Sequence, residues 1–347
     1  MKLTTRSFAV AVLVVFSCTF SYAHDAQTEA VQSKPRAIQL NVVVTGSKDA
    51  QVAGLPQSDF TILDNGVPQA ITSFQRMAGN PDSVKVVIVL DDVNMNYLRL
   101  PYEREQLQKF FRANGGRLPY PTRLAIVYDS GIVMTQGFTQ NGAALGKVLE
   151  AQKIGQRAVG FSAGIFGASD RMEISLRALR KLIATNGELP GRKVFLWMSP
   201  GWAFFSGPQI QTSAKQQRWM FGEIQSISGD LREHQITMYA VNPRGTRDPD
   251  ELRNLYANFL APVRTYSQAQ YGNLCLQAFV IHSGGQYFNL NNDFAGLMQQ
   301  ALNDLNSYYR ITFTPLPGEP NEYHAIHVKV AQPGLKARTT TGYYGGH

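Results

Sequence analysis

The sequence predicts an α/β fold. A doubly wound, mostly parallel sheet is covered by helices on both faces, and the two ends of the chain form a small β lobe. Three observations carry this. Short apolar runs, Val84–Leu90 chief among them, alternate with amphipathic helical stripes across residues 82–305. Those runs are continuous rather than alternating, as strands buried on both faces are. Period-two alternation, the mark of strands with one wet face, is found in residues 37–80 and 306–347.

The elements follow in order. Residues 1–23 read as a signal peptide, with Lys2 and Arg6 ahead of the apolar stretch Phe8–Ser17 and with Ser21-Tyr22-Ala23 as the cleavage site. The apolar stretch is too short to span a bilayer, and the mature chain shows no integral membrane segment. An exported protein, periplasmic or extracellular, is expected. Val15-Phe16-Ser17-Cys18 offers a rival, lipoprotein anchoring at Cys18, against which the bulk of Phe16 argues. Residues 24–36 form a polar N-terminal tail.

Ile38, Leu40, Val42 and Val44 then alternate, and Asp64-Asn65-Gly66 marks a hairpin because Asn and Gly accept positive φ. Some forty residues in a few strands make a poor core. Pairing with the C-terminal strands Tyr309–Phe313, Ile326–Val330 and Pro333–Tyr344 would relieve that. Between these ends, strands are predicted at Val84–Leu90, Arg123–Tyr128, Ile132–Thr135, Lys193–Met198, Thr237–Val241 and Gln286–Phe288. Helices are predicted at Tyr102–Phe111 and Gln140–Gln152. Others carry the stripes Met172–Ile183 and Met220–Leu231, and two more are predicted over Tyr266–His282 and Phe294–Leu305.

The bulk composition fits a globular chain of 347 residues, 44% apolar and 17% charged. The formal charge of +8 falls to +6 once Lys2 and Arg6 leave with the signal peptide. No basic run of the kind that binds nucleic acid accompanies it. Of two cysteines, Cys18 would be removed, which leaves Cys275 without an internal disulfide partner.

In open α/β sheets, ligands bind beyond the carboxyl ends of the strands where strand order reverses. Asp91 and Asp92 stand at such an end, followed by Asn94 and Asn96. A hard divalent cation wants several oxygens. Counted from Asp92, alternate positions supply Asp92, Asn94 and Asn96; counted from Asp91, they supply only Asp91, with Val93 and Met95. Other pairings are poorer. Cys275 and His282 share a helical face but read as a core cysteine beside a satisfied histidine. His324 and His327, three apart on a strand, face opposite ways. HExxH, the Walker phosphate loop and GxGxxG are all missing from the sequence.

Several segments together resemble exported proteins related to von Willebrand factor type A (VWA) domains, of the acidobacterial kind. They are VAGLPQSDFTILDNGVPQAITSF, VVIVLDDVN, GRKVFLWMSPGW, ITMYAVNPRG, SGGQYF, SYYRITFTP and ARTTTGYY, in that order across nearly the whole mature chain. The resemblance implies a Rossmann-like sheet and a metal-ion-dependent adhesion site. In the family that site uses Asp-x-Ser-x-Ser after the first strand, a later threonine, and an aspartate after the fourth strand.

This chain departs from the motif at each place. Its first element contains no serine. Thr139 comes too early, which leaves Ser162 as the hydroxyl in the later loop. The fourth strand ends Ser199-Pro200-Gly201, with Pro200 in the aspartate's place. The candidate metal set is therefore Asp91, Asp92, Asn94, Asn96, Ser162 and Ser199, a degenerate site with weakly bound Mg²⁺ or no cofactor. The resemblance implies a binding or adhesion-type module for a protein or envelope polymer, without catalysis. A metal-assisted phosphohydrolase using Asp91 is one alternative, although Val93 stands where its second aspartate would be. A metal-free structural envelope component is the other.

Overall fold

The computed structural model describes residues 37–78, 84–95, 99–152, 164–202, 211–247, 256–315 and 321–345. The predicted signal peptide and tail lie outside them, as do Asn96 and Ser162. Among the described residues, no helix is long and apolar enough to cross a membrane.

The chain opens with strands β1 (Ile38–Thr45), β2 (Phe60–Asp64), β3 (Val67–Gln69) and β4 (Ile71–Ala78). Their partners come from the other end: β12 (Ser307–Phe313), β13 (Tyr323–Val330), β14 (Lys336–Arg338) and β15 (Gly342–Tyr344). Two four-stranded sheets result, ordered β14-β1-β12-β4 and β15-β13-β2-β3. In the first, β1 runs antiparallel to β12, with Leu40 opposite Ile311 and Val42 opposite Tyr309. In the second, β13 runs antiparallel to β2, with Ile326 opposite Asp64. The inward residues of both sheets, including Leu40, Val42, Phe60, Ile62, Tyr309, Phe313 and Ile326, bury one shared core.

Between these ends lies a seven-stranded sheet. Its members are β5 (Val84–Asp91), β6 (Arg117–Tyr128), β7 (Gly131–Met134), β8 (Thr139–Asn141), β9 (Arg192–Met198), β10 (Ile236–Val241) and β11 (Tyr287–Phe288). The order is β11-β10-β9-β5-β6-β7, with β8 also pairing to β6. From β11 to β6 every pairing is parallel, and β7 and β8 are antiparallel. The first two parallel strands in sequence, β5 and β6, build outward on one side, and the next three, β9, β10 and β11, build on the other. Strand order therefore reverses between β5 and β9.

Alternate residues of the central strands serve opposite layers. Val87, Val89, Phe195, Trp197 and Met238 face helices α3 (Gly164–Asn186), α4 (Ala214–Glu233) and α5 (Leu276–His282). Val86, Ile88, Leu90, Leu196 and Val241 face α1 (Leu100–Arg112), α2 (Gly142–Ala151) and α6 (Phe294–Asn303).

Three elements differ from the sequence expectation. The closing strand predicted over Pro333–Tyr344 is two short strands, β14 and β15, which join different sheets. The helix predicted over Tyr266–His282 is helical only in α5; the stretch before it forms two 3₁₀ turns, Tyr266–Gln268 and Tyr271–Leu274. Thr265/Gln268 and Gln270/Asn273 each form a capping box, and each box starts a fresh turn instead of letting one helix run on. The second buried strand starts at Arg117, six residues before the predicted Arg123, and carries Pro119 and Pro121 inside it. Beside that stretch β8 pairs with an irregular register between Arg117 and Thr122, so missing proline donors cost little there.

Gly285 closes the approach to β11. A Cβ there would overlap the Met238 carbonyl oxygen on β10. Gly285→Ala is expected to lower stability by the ~1–3 kcal/mol of overpacking, read as a lower urea midpoint at unchanged slope.

Candidate functional site

Asp91 is the last residue of β5, and Ser199 directly follows β9. The two strands are adjacent and parallel, so the residues meet across the point of strand-order reversal. Period two decides which neighbours join them. Asp91 continues the Val87–Val89 face, and Ser199 continues the Phe195–Trp197 face. Both turn toward the α3 layer.

Asp91 is fully buried there, and four donors converge on its carboxylate. Asn94 donates its backbone N–H to Oδ1 at 3.0 Å and its side-chain Nδ2 to Oδ2 at 3.0 Å. Trp197 Nε1 donates to Oδ2 at 3.2 Å, and the Ser199 hydroxyl donates to Oδ2 at 2.8 Å. Ser199 Oγ in turn accepts from the Gly201 N–H at 3.2 Å. Gly201 has φ +111, and a Cβ on it would strike Gln277 and Tyr256, so glycine is required. Asn94 Nδ2 also donates to Ser175 Oγ at 2.8 Å, and Ser175 donates back to the Arg171 carbonyl of α3 at 2.8 Å. Burial pushes the Asp91 carboxyl above its ordinary pKa of 3.8, against the lowering pull of Ser199, Asn94 and Trp197.

Asp92 goes the other way. Its backbone N–H donates to the Val127 carbonyl, and its carboxylate pairs with Arg104 of α1 at 3.3 Å. Arg104 also donates to the carbonyls of Leu149 and Gln152, which close the end of α2. The adjacent aspartates thus serve opposite layers of the sheet and share no common point.

This geometry bears on the cation set. Asp91, Asn94 and Ser199 are brought together, and Asp92 is not. Asn94 presents its amide nitrogen to Asp91, since the oxygen there would oppose a carboxylate. Val93 and Met95, at the positions of the family's serines, are buried in the apolar core on opposite sides of the sheet. A cation at Asp91 would have to displace N–H and O–H donors already fitted to both carboxylate oxygens. The described residues do not fit an octahedral Mg²⁺. Among them, no cluster of three His, Cys, Asp or Glu side chains could hold a metal.

Trp197, Ser175, Arg171 and Arg104 take part here, although no motif marks them in the sequence. Ser175, a polar residue within the apolar stripe of α3, is the one a sequence reading could have singled out; Arg171 contributes only its backbone carbonyl. Ser162, outside the described residues, also stands in Gly160-Phe161-Ser162-Ala163-Gly164, the spacing of a nucleophile elbow. That motif needs a strand before it and a helix after it. Residues 153–163, which include the stretch that precedes Ser162, lie outside the described residues.

The other candidates resolve simply. Cys275 is buried, and burial raises its thiol pKa to about 12, the reverse of an activated nucleophile. His282 is partly buried, desolvation lowers its pKa to about 4, and its Nδ1 hydrogen-bonds Thr341 Oγ1 at 2.6 Å. His324 Nδ1 meets Asp64 Oδ1 at 2.9 Å inside the β lobe, and Tyr343 donates to Asp64 Oδ2 at 2.7 Å. His327, on the other side of the strand, is exposed.

No family model and no curated protein matches this chain. Among solved structures, it is similar to the pilus adhesin SpaC from Lactobacillus rhamnosus GG at 10% identity and a TM-score of 0.38, over 86% of this chain and 44% of that one. It is similar to the SpRpn10 VWA domain at 10% identity and 0.28, over 62% and 94%. The pilus adhesin RrgA from Streptococcus pneumoniae matches at 9% identity and 0.24, over 54% and 29%. The chain thus spans under half the length of SpaC and under a third of RrgA. Likeness this slight carries no functional weight; the chain's own geometry has to carry it.

Proposed function

We propose that the chain is an exported, von Willebrand factor type A-like binding module. It recognises a protein or an envelope polymer through the carboxyl-end face of its parallel sheet, without catalysis and without a bound cation. The observation that carries this is Phe166, 81% exposed near the amino end of α3. Nine residues further on, the same helix holds the Asp91 cluster through Ser175. At 1.5 Å per residue, Phe166 projects about 13 Å beyond that cluster along the helix axis. A large aromatic side chain held out above a rigid, self-satisfied base has the form of a contact residue.

The phosphohydrolase alternative finds less support. It needs Asp91 free to attack phosphorus, and both carboxylate oxygens are engaged out of solvent contact. A structural envelope component differs by having no specific ligand on this face.

The test is capture from envelope extract on immobilised mature chain, with wild type beside Phe166→Ser, in Mg²⁺ and in EDTA. The expected result is a species retained by wild type under both conditions and lost from the variant. Equal capture by Phe166→Ser would move the contact elsewhere, and loss in EDTA would restore a working cation site. Labelling of Ser162 by a fluorophosphonate would make the protein an enzyme.

A further inference from the structure

Beside the β11 edge of the sheet lies a cleft of about 330 Å³, between the loop after β1 and the last turn of α6. We propose that it binds a neutral, hydroxyl-rich ligand of sugar size, one or two pyranose rings of a glycan. The site is separate from the Phe166 face and does not depend on it.

The walls select the ligand by chemistry. Five carboxamide side chains line the cleft, Gln51, Gln286, Gln300, Asn303 and Asn306, each pairing a donor with an acceptor. Some of that capacity is already used: Gln51 donates to the Ser307 carbonyl, Asn303 accepts from Gln299, and Asn306 accepts from Tyr120. Gln286 and Gln300, which also line the cleft, have no such side-chain hydrogen bond among the described residues. Vicinal hydroxyls, each at once donor and acceptor, are the complement of such amides.

Charge narrows the choice. The charged groups in the wall are Asp49, Asp304 and Arg338. Arg338 is committed to Asp304 and to the Gly284 carbonyl, so it has little left for an anion. Asp49 remains, and the described wall residues carry about one net negative charge on a chain of formal charge +8. An acidic polymer is therefore disfavoured here, whatever the net charge suggests. Ala50 is the sole apolar residue among the wall residues, so an acyl chain or an apolar peptide side chain finds no partner.

The site is also built in advance. Gly46 N–H donates to Ala50 O at 2.8 Å, Ala50 N–H to Ser47 O at 3.2 Å, and Val52 N–H to Val44 O at 2.9 Å, closing the loop that carries Asp49. Asp49 is held at φ +57, a conformation non-glycine residues seldom take. The floor is fixed by Tyr239, which donates to Asp304 at 2.7 Å. The loop backbone and the floor therefore need little ordering on binding. The volume lies at the lower end of the roughly 300–1,000 Å³ typical of small-molecule sites.

Saturation-transfer NMR on the mature chain decides the matter. The probes are glucose, galactose, mannose, N-acetylglucosamine, maltose and cellobiose at millimolar concentration, with a Gly-Ser peptide as the competing class. The expected result is transfer to the ring protons of at least one sugar. That transfer weakens tenfold or more in Gln300→Ala/Asn303→Ala, two exposed positions whose loss leaves the melting temperature unchanged. It persists in Phe166→Ser. Overturning results are silence from every sugar, transfer undiminished in the double variant, or transfer to the peptide alone.

Discussion

Replacing Asp91 by alanine is expected to destabilise the fold by ~3–5 kcal/mol, because it strands several buried neutral donors at once. The substitution removes the acceptor for the Asn94 backbone and side chain, Trp197 Nε1 and Ser199 Oγ at once. A buried polar group left without a partner costs ~1–3 kcal/mol. Asp91→Asn keeps the shape and one accepting oxygen. Its amide still meets the Trp197 N–H, so the expected loss is smaller, about 1–2 kcal/mol. Urea denaturation at constant slope measures both. The pH dependence separates charge from shape. Because burial raises the native pKa of Asp91 above its ordinary 3.8, the native state binds the proton more tightly than the unfolded chain. Stability contributed by this group is full below about 4, falls as pH rises through the native pKa, and is level above it. Asp91→Asn has no proton to release, so its profile lacks that fall. Parallel profiles for wild type and Asp91→Asn would refute this titration.

The core of the sheet was legible because its strands obey one rule. Val84–Leu90 reads as a strand buried on both sides, and β5 is that strand extended by Asp91. Strand–helix alternation likewise places Asp91 and Ser199 at carboxyl ends, and strand-order reversal makes them neighbours. What a linear reading cannot supply is the direction in which a polar group is used. By residue type and spacing Asn94 is an oxygen donor to a cation; in the fold its nitrogen faces Asp91. Asp91 and Asp92 look like a pair because they are adjacent, yet a strand period of two sends them to opposite layers, one toward α3 and one toward Arg104. The rule was available, but it bites only once the strand is known to run through Asp91. The helix predicted over 266–282 fails for a local reason. Two capping boxes in succession compete with helix propagation, and apolar spacing alone does not register them.

Asp304→Ala should rank beside Asp91→Ala, with an expected loss of ~3–5 kcal/mol, because it strands a cation at a junction. Asp304 lies just past α6 and accepts from Tyr239 of the central sheet and from Arg338 of β14, in the terminal sheets. Its backbone carbonyl accepts from Arg192 at 3.4 Å, and the Arg192 guanidinium lies 4.5 Å above the Tyr308 ring of β12. One residue therefore ties the strands from the chain's two ends to the parallel sheet. Burial alone would weaken the Arg338 charge, but Tyr239 and Asp304 more than reverse this and raise its pKa. Removing Asp304 takes that compensation away. Asp304→Leu with Arg338→Met removes both charges and fills the space, and it should recover most of the loss. A double-mutant cycle on Asp304→Ala and Arg338→Ala should give a coupling of ~0.5–3 kcal/mol. Additive losses would mean the two side chains merely lie close, and the tie between the sheets would then fall to the strand pairings and the apolar contacts around Tyr308.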